Sequence, residues 1–114
     1  MTAFRILLIT IFVVIAGYTG VVATHHGMDL IPIFQGDIAA LAWPGQFNVD
    51  FTSFLTLSAL WVAWRHHFSA AGLGLAVVAF FGGGLFLSAY LLIASFQVGG
   101  DIKAVLLGRQ RAAG

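Results

Sequence analysis

Residues 69–96 read SAAGLGLAVVAFFGGGLFLSAYLLIASF, a run without one charged side chain. A membrane-crossing helix needs about 20 mainly apolar residues, in a range of roughly 17 to 25. This run exceeds the requirement, so tilt or a start in the interface would absorb the excess. Ser69, Gly72 and Gly74 leave its beginning open, and Gly82-Gly83-Gly84 interrupts its middle. Each of those glycines weakens a helix by roughly 1 kcal/mol relative to alanine, and three in a row face different sides of it. One internal contact would not need all three. A kink would explain the excess, as would a second docking surface for a foreign helix, a pigment or a lipid tail.

The rest of the chain has the same character. Of its 114 residues, 61% are hydrophobic and 8% charged, against roughly 25% charged in soluble domains. A small soluble domain leaves much of its surface in water and could not hide so much apolar area. Lipid is the expected solvent, and the length fits one domain, 1–114. A net charge of +1 without a basic stripe argues against a nucleic-acid partner. The absence of cysteine excludes disulfides, thiolate metal sites and thiol nucleophiles.

Two further spans are expected, at about 4–24 and about 48–64, giving an all-α membrane protein of three transmembrane helices. The first has a basic residue, Arg5, before it and small residues after it, as a signal peptide would. Its apolar run is longer than the 7 to 15 residues of a typical signal core, so it reads as a retained span. The second is short, and its ends should lie at the headgroups.

Between them, residues 25–47 form a long interfacial loop. Asp29 and Asp37 disfavour a fourth span, since a carboxylate at the bilayer centre costs at least about 2.5–3.5 kcal/mol. Pro32, Gly36 and Pro44-Gly45 break any long helix. A short helix from Asp37 to Trp43, capped by Asp37, is expected there. After Gly99-Gly100, Asp101 should cap a short C-terminal interfacial helix that Gly108 ends. Trp43, Trp61, Trp64, Arg65, Lys103, Arg109 and Arg111 are the expected interface anchors. Counting Lys and Arg on either side of three spans gives a near tie. The first loop, which has neither, inclines the N-terminus to the inside.

Helices in lipid associate through close packing at small residues. Ala16, Gly20 and Thr24 supply such a face on the first span. Thr52, Thr56, Ala59 and Ala63 supply one on the second, and Gly72, Ala76, Ala79 and Gly83, with Gly82, Gly84 and Ser88, on the third.

Chemistry is harder to find. Asp50 is either an ion- or proton-carrying carboxylate at a membrane edge or the N-cap of the second span, with Asn48 as the alternative cap. Capping is the better reading. His25-His26 and His66-His67 close the first and second spans, so alternating helices set the pairs at opposite faces, about 30 Å apart. One zinc cannot bridge that distance. A local site of His25 or His26 with Asp29 is the minor alternative. Tyr18 and Tyr90 each place a hydroxyl in the bundle, and no nucleophile–base–orienter set accompanies them. No enzyme, metal or cofactor is expected, although a bound lipid, quinone or pigment is compatible with the composition.

The stretch FNVDFTSFLTLSALWVAWRHHFSAAGLGLAVVAFFGGGLFLSAYLLIAS resembles small bacterial three-span membrane proteins of unknown function. The likeness covers about residues 46–95 and rests on the x-Asp-Phe entry to the second span, its aromatic and basic exit, and the Gly-rich third span. It implies a fold and a bacterial inner membrane, and carries over no activity. The expected role is an accessory or structural subunit packed against a larger membrane assembly, respiratory or photosynthetic, with lipids and other integral subunits as partners. The alternative is a small oligomeric transporter or channel, or a lipid- or quinone-handling protein.

Overall fold

Apolar helices joined by glycine and proline punctuation account for the whole architecture. The computed structural model describes residues 1–113, with His26 through its backbone alone. Among the described residues six α-helices follow in order: α1 (Thr2–His26), α2 (Leu30–Ala39), α3 (Trp43–Arg65), α4 (Ala70–Gln97), α5 (Ile102–Leu107) and α6 (Arg109–Ala113). The fold is all-α, and α1 over Thr2–His25 and α4 are long and apolar enough, by length and composition, to cross a membrane.

Helix α1 stops at Gly27, whose N–H still closes on Ala23 O at 2.9 Å and whose φ of 73° turns the chain out of the helix. The expected loop 25–47 is largely helical. Pro32 stands in the first turn of α2 and Pro44 in the first turn of α3. A proline there loses only an N–H that has no ladder partner. The prolines therefore start helices, and the short helix expected over 37–43 is replaced by α2, with Asp37 near its end. Gly45 is buried where α3 crosses α2; a Cβ there would stand 2.3 Å from Asp37 O. Asn48 joins the same crossing, donating from Nδ2 to Phe34 O at 3.1 Å and to Asp37 Oδ2 at 3.4 Å.

The principal correction concerns α4. A straight helix would hold Gly72 and Tyr90 about 27 Å apart. Yet a Cβ at Gly72 would lie 2.6 Å from His66 Cβ, and His66 Nε2 is 2.6 Å from Tyr90 Oη. Between them Gly83 adopts φ 55°, ψ −140°, outside the helical region, and touches Phe51 and Leu55 far up α3. The chain doubles back there. Residues 70–82 run antiparallel to α3, and residues 84–97 return alongside it in the same direction.

The glycine triplet supplies both the bend and its clearance. A Cβ on Gly82 would meet Phe86 Cβ at 2.5 Å, on Gly83 Phe51 Cζ at 3.1 Å, and on Gly84 Ile15 Cδ1 at 2.9 Å. Helix α1 packs antiparallel to the returning half, with Ile15 beside Gly84 and Arg5 beside Ser95. Both α1 and α3 pack on α4 rather than on each other, while α2 packs on α3. The buried side chains, among them Leu8, Val62, Ala63, Ala94, Ala104 and Val105, gather toward the end that holds Arg5 and Arg65. Ser69 caps α4 through Gly72 N–H, and Asp101 caps α5 through Lys103 N–H, both at 3.1 Å. Gly108 ends α5, as the sequence predicts.

Candidate functional site

The hairpin in α4 brings every Lys and Arg to one end of the molecule. Arg5 donates to Ser95 Oγ and O at 3.0 Å and lies 3.9 Å over the Phe96 ring. Arg65 closes α3, α5 docks on it, and Arg111 bonds Trp64 O while stacking 3.9 Å over the Trp64 ring. Arg109 reaches Gln97 O, and Lys103 lies exposed on α5. Asp37 and Asp50 lie toward the other end, with α2 and the start of α3.

Arg65 organises this basic end. Expected among the headgroups, it is 8% exposed and turned inward. Its Nε donates to Val105 O at 2.7 Å, Nη2 to Ala104 O at 3.3 Å, and Nη1 to Tyr90 Oη at 2.9 Å. Trp61 Nε1 adds a bond to Leu106 O at 3.0 Å. The last carbonyls of a helix have no partner inside it, and a cation there complements the helix dipole. Arg65 and Trp61 thus satisfy three carbonyls of the six-residue α5 and fix it to α3.

Tyr90 is the second hub. Trp61 meets its ring edge-on at 5.8 Å, and Phe86 stacks on it at 5.6 Å. Arg65 donates to the phenol oxygen, which shares a further hydrogen bond with His66 Nε2 at 2.6 Å, the donor following the imidazole tautomer. Burial, then the neighbouring Arg65 and His67 charges, hold the His66 pKa below the ordinary 6.5. Sequence reasoning singled out Trp61, Arg65, His66, His67 and Tyr90 without joining them, and missed Phe86. They meet only because α4 turns back.

The remaining candidates are dispersed. Asp50 is not a cap: α3 begins at Trp43, after Ala42, because Pro44 fits its first turn. Asp50 is exposed inside the helix, beside an open groove of about 570 Å³ lined by Ile38, Leu41, Gly45, Gln46 and Val49. Asn48, the alternative cap, joins α2 to α3 instead. Tyr18 is 74% exposed on α1, remote from Tyr90. His25 lies at the far end of α1 from Arg5, and therefore far from His66; a site using the His26 side chain falls outside the described residues.

The small-residue faces divide in two. Gly72, Ala79, Gly83 and Ser88 on α4 are buried, as is Ala63 on α3, with Thr52, Ala59 and Ala76 half-buried. Thr56 is exposed and returns its hydroxyl to Thr52 O. On α1, Ala16 is half-buried while Gly20 and Thr24 are exposed, and a Cβ on Gly20 would meet nothing within 4 Å. At the hairpin tip, Phe51, Phe54, Leu55, Ser58, Gly83 and Leu87 line a cleft of about 250 Å³. Ser58 Oγ is buried there without a hydrogen-bond partner among the described residues. No protein family, curated protein or solved structure matches the chain.

Proposed function

We propose that this chain is a structural subunit of a bacterial inner-membrane assembly, crossing the bilayer with α1 and α3 and dipping α4 into it as a re-entrant hairpin. Arg5 and His25 are about 30 Å apart along α1, and Trp43 and Trp64 about 31 Å apart along α3. Both values match the roughly 30 Å hydrocarbon thickness, and the tryptophans mark the two headgroup levels. That placement sets exposed Asp50 within about 5 Å of the midplane on α3, where a carboxylate needs cover from a partner helix or water. The tip at Gly83 then lies near the midplane, covered by Phe51, Leu55 and Ile15, as non-helical backbone at that depth requires. With all five Lys and Arg at one end, the near tie in charge count disappears. That end is cytoplasmic and holds both termini.

The observation that carries the subunit reading is the outer half of α1. Its small-residue face, Gly20 and Thr24 with Gly17, is exposed and packs on no other helix among the described residues, yet such faces serve helix–helix approach in lipid. Another integral membrane helix is the occupant. Mild-detergent purification from native membranes, followed by mass spectrometry, tests this. A reproducible partner, lost on Gly20→Leu while the fold persists, is expected; a solitary chain overturns the reading.

The cleft at Ser58 favours a second reading, a small oligomeric transporter or a lipid- or quinone-handling protein, because a hydroxyl awaits a partner at the hairpin tip. Under that reading Ser58→Ala abolishes flux or quinone retention in vesicles. Under the first it leaves partner capture intact.

A further inference from the structure

We propose that the cleft at the basic end binds the phosphate of an anionic phospholipid. It encloses about 210 Å³ between the end of α3, the end of α4 and the α5–α6 corner, and is lined by Arg65, His66, His67, Gln97, Gly108 and Arg109. Among the described residues no carboxylate is in that lining. The one acidic side chain at this end, Asp101, spends Oδ1 on the Lys103 N–H at the start of α5.

The positive charge is left uncancelled. All four arginines donate to neutral acceptors: Arg5 to Ser95, Arg65 to Ala104, Val105 and Tyr90, Arg109 to Gln97, and Arg111 to Trp64. A guanidinium has five N–H donors in a fixed fork, and exposed Arg109 commits one to Gln97 O. The rest match phosphate oxygens, which arginine binds two at a time. His67, exposed beside it, adds an imidazole.

Depth selects the source of that phosphate. The cleft sits at the level of Trp61 and Trp64, where aromatic rings mark headgroups, and clustered cations on the cytoplasmic leaflet attract anionic lipid. Ile93 and Phe96, 58% and 62% exposed on the returning half of α4, give acyl chains an apolar flank to follow. This inference rests on the membrane placement and orientation proposed above.

The test reconstitutes the full chain in phosphatidylcholine vesicles doped with phosphatidylglycerol and counts retained lipids by native mass spectrometry. Wild type retains phosphatidylglycerol in preference to phosphatidylcholine. Arg109→Gln lowers that retention about tenfold or more, the loss of charge-assisted bonds to the phosphate, whereas Lys103→Gln, at the same end but outside the cleft, lowers it about fivefold at most, the worth of one cation near a membrane surface. His67→Asn, which keeps the Arg109–Gln97 bond and suits the left-handed backbone at φ 58°, lowers it as well. Equal losses for Arg109→Gln and Lys103→Gln mean diffuse surface charge and overturn the cleft. Displacement of the lipid by excess inorganic phosphate reassigns the site to a soluble anion and overturns the lipid assignment. A chain that enters vesicles yet retains both lipids equally overturns the cleft and leaves the membrane placement standing. A chain that stays outside the vesicles overturns both.

Discussion

Gly83 is the residue on which the shape turns. Its φ of 55° with ψ −140° is open to glycine and strained for any L side chain, at a cost of about 1–3 kcal/mol. Phe51 Cζ at 3.1 Å adds a steric conflict. Gly83→Ala should therefore lower the melting temperature of the detergent-solubilised protein sharply. Gly74→Ala, with open space around it, should be neutral or gain slightly in helix propensity. Equal effects from the two would refute the bend. His66 makes the second prediction at this scale. Its folded pKa lies below the unfolded 6.5, so the unfolded chain binds the proton more readily. The contribution is complete above about pH 6.5 and declines as pH falls through the lower folded value. Thermal melts should show stability dropping below pH 6.5, and His66→Gln should flatten the drop.

At the scale of elements, α5 shows how a six-residue helix persists. Helices this short are marginal alone; α5 has an Asp101 cap at one end and Arg65 with Trp61 on its carbonyls at the other. Hydrogen bonds from a charged donor contribute about 1.5–3 kcal/mol each. Arg65→Leu should release α5, measured as faster amide hydrogen exchange over residues 102–107, with α1 unaffected. The cap and the stop of α5 were legible because Asp101 and Gly108 act on neighbouring backbone. Its clamp was not, because Arg65 and Val105 are separated in sequence and meet only through α4. The start of α3 was misjudged for a related reason. Pro44-Gly45 suits a turn and a helix start equally, and the packing of Gly45 against Asp37 selects the helix.

For the whole molecule, the decisive difference is where the chain ends. Three straight spans would separate the termini across the bilayer, whereas the hairpin returns the C-terminal helices to the side of Arg5. The chain has no cysteine, so single-cysteine variants report cleanly. Thr2→Cys and Ala113→Cys should be labelled from the same face of sealed vesicles, and Gly27→Cys from the opposite one. Labelling of the two termini from opposite faces would restore the three-span arrangement.

Composition determined that this chain is apolar, with 61% hydrophobic side chains and few charges, and the length of its uncharged runs determined that it is helical. Local chemistry determined where α5 is capped and where it stops, while the start of α4 stayed open among Ser69, Gly72 and Gly74. Gly82-Gly83-Gly84 permitted a reversal without requiring it, since glycine admits helical and left-handed backbone alike. Only the packing of Phe51 against Gly83 and of Ile15 against Gly84 fixed the reversal. That long-range contact gathers the cations at one end, and no reading of neighbouring residues could contain it.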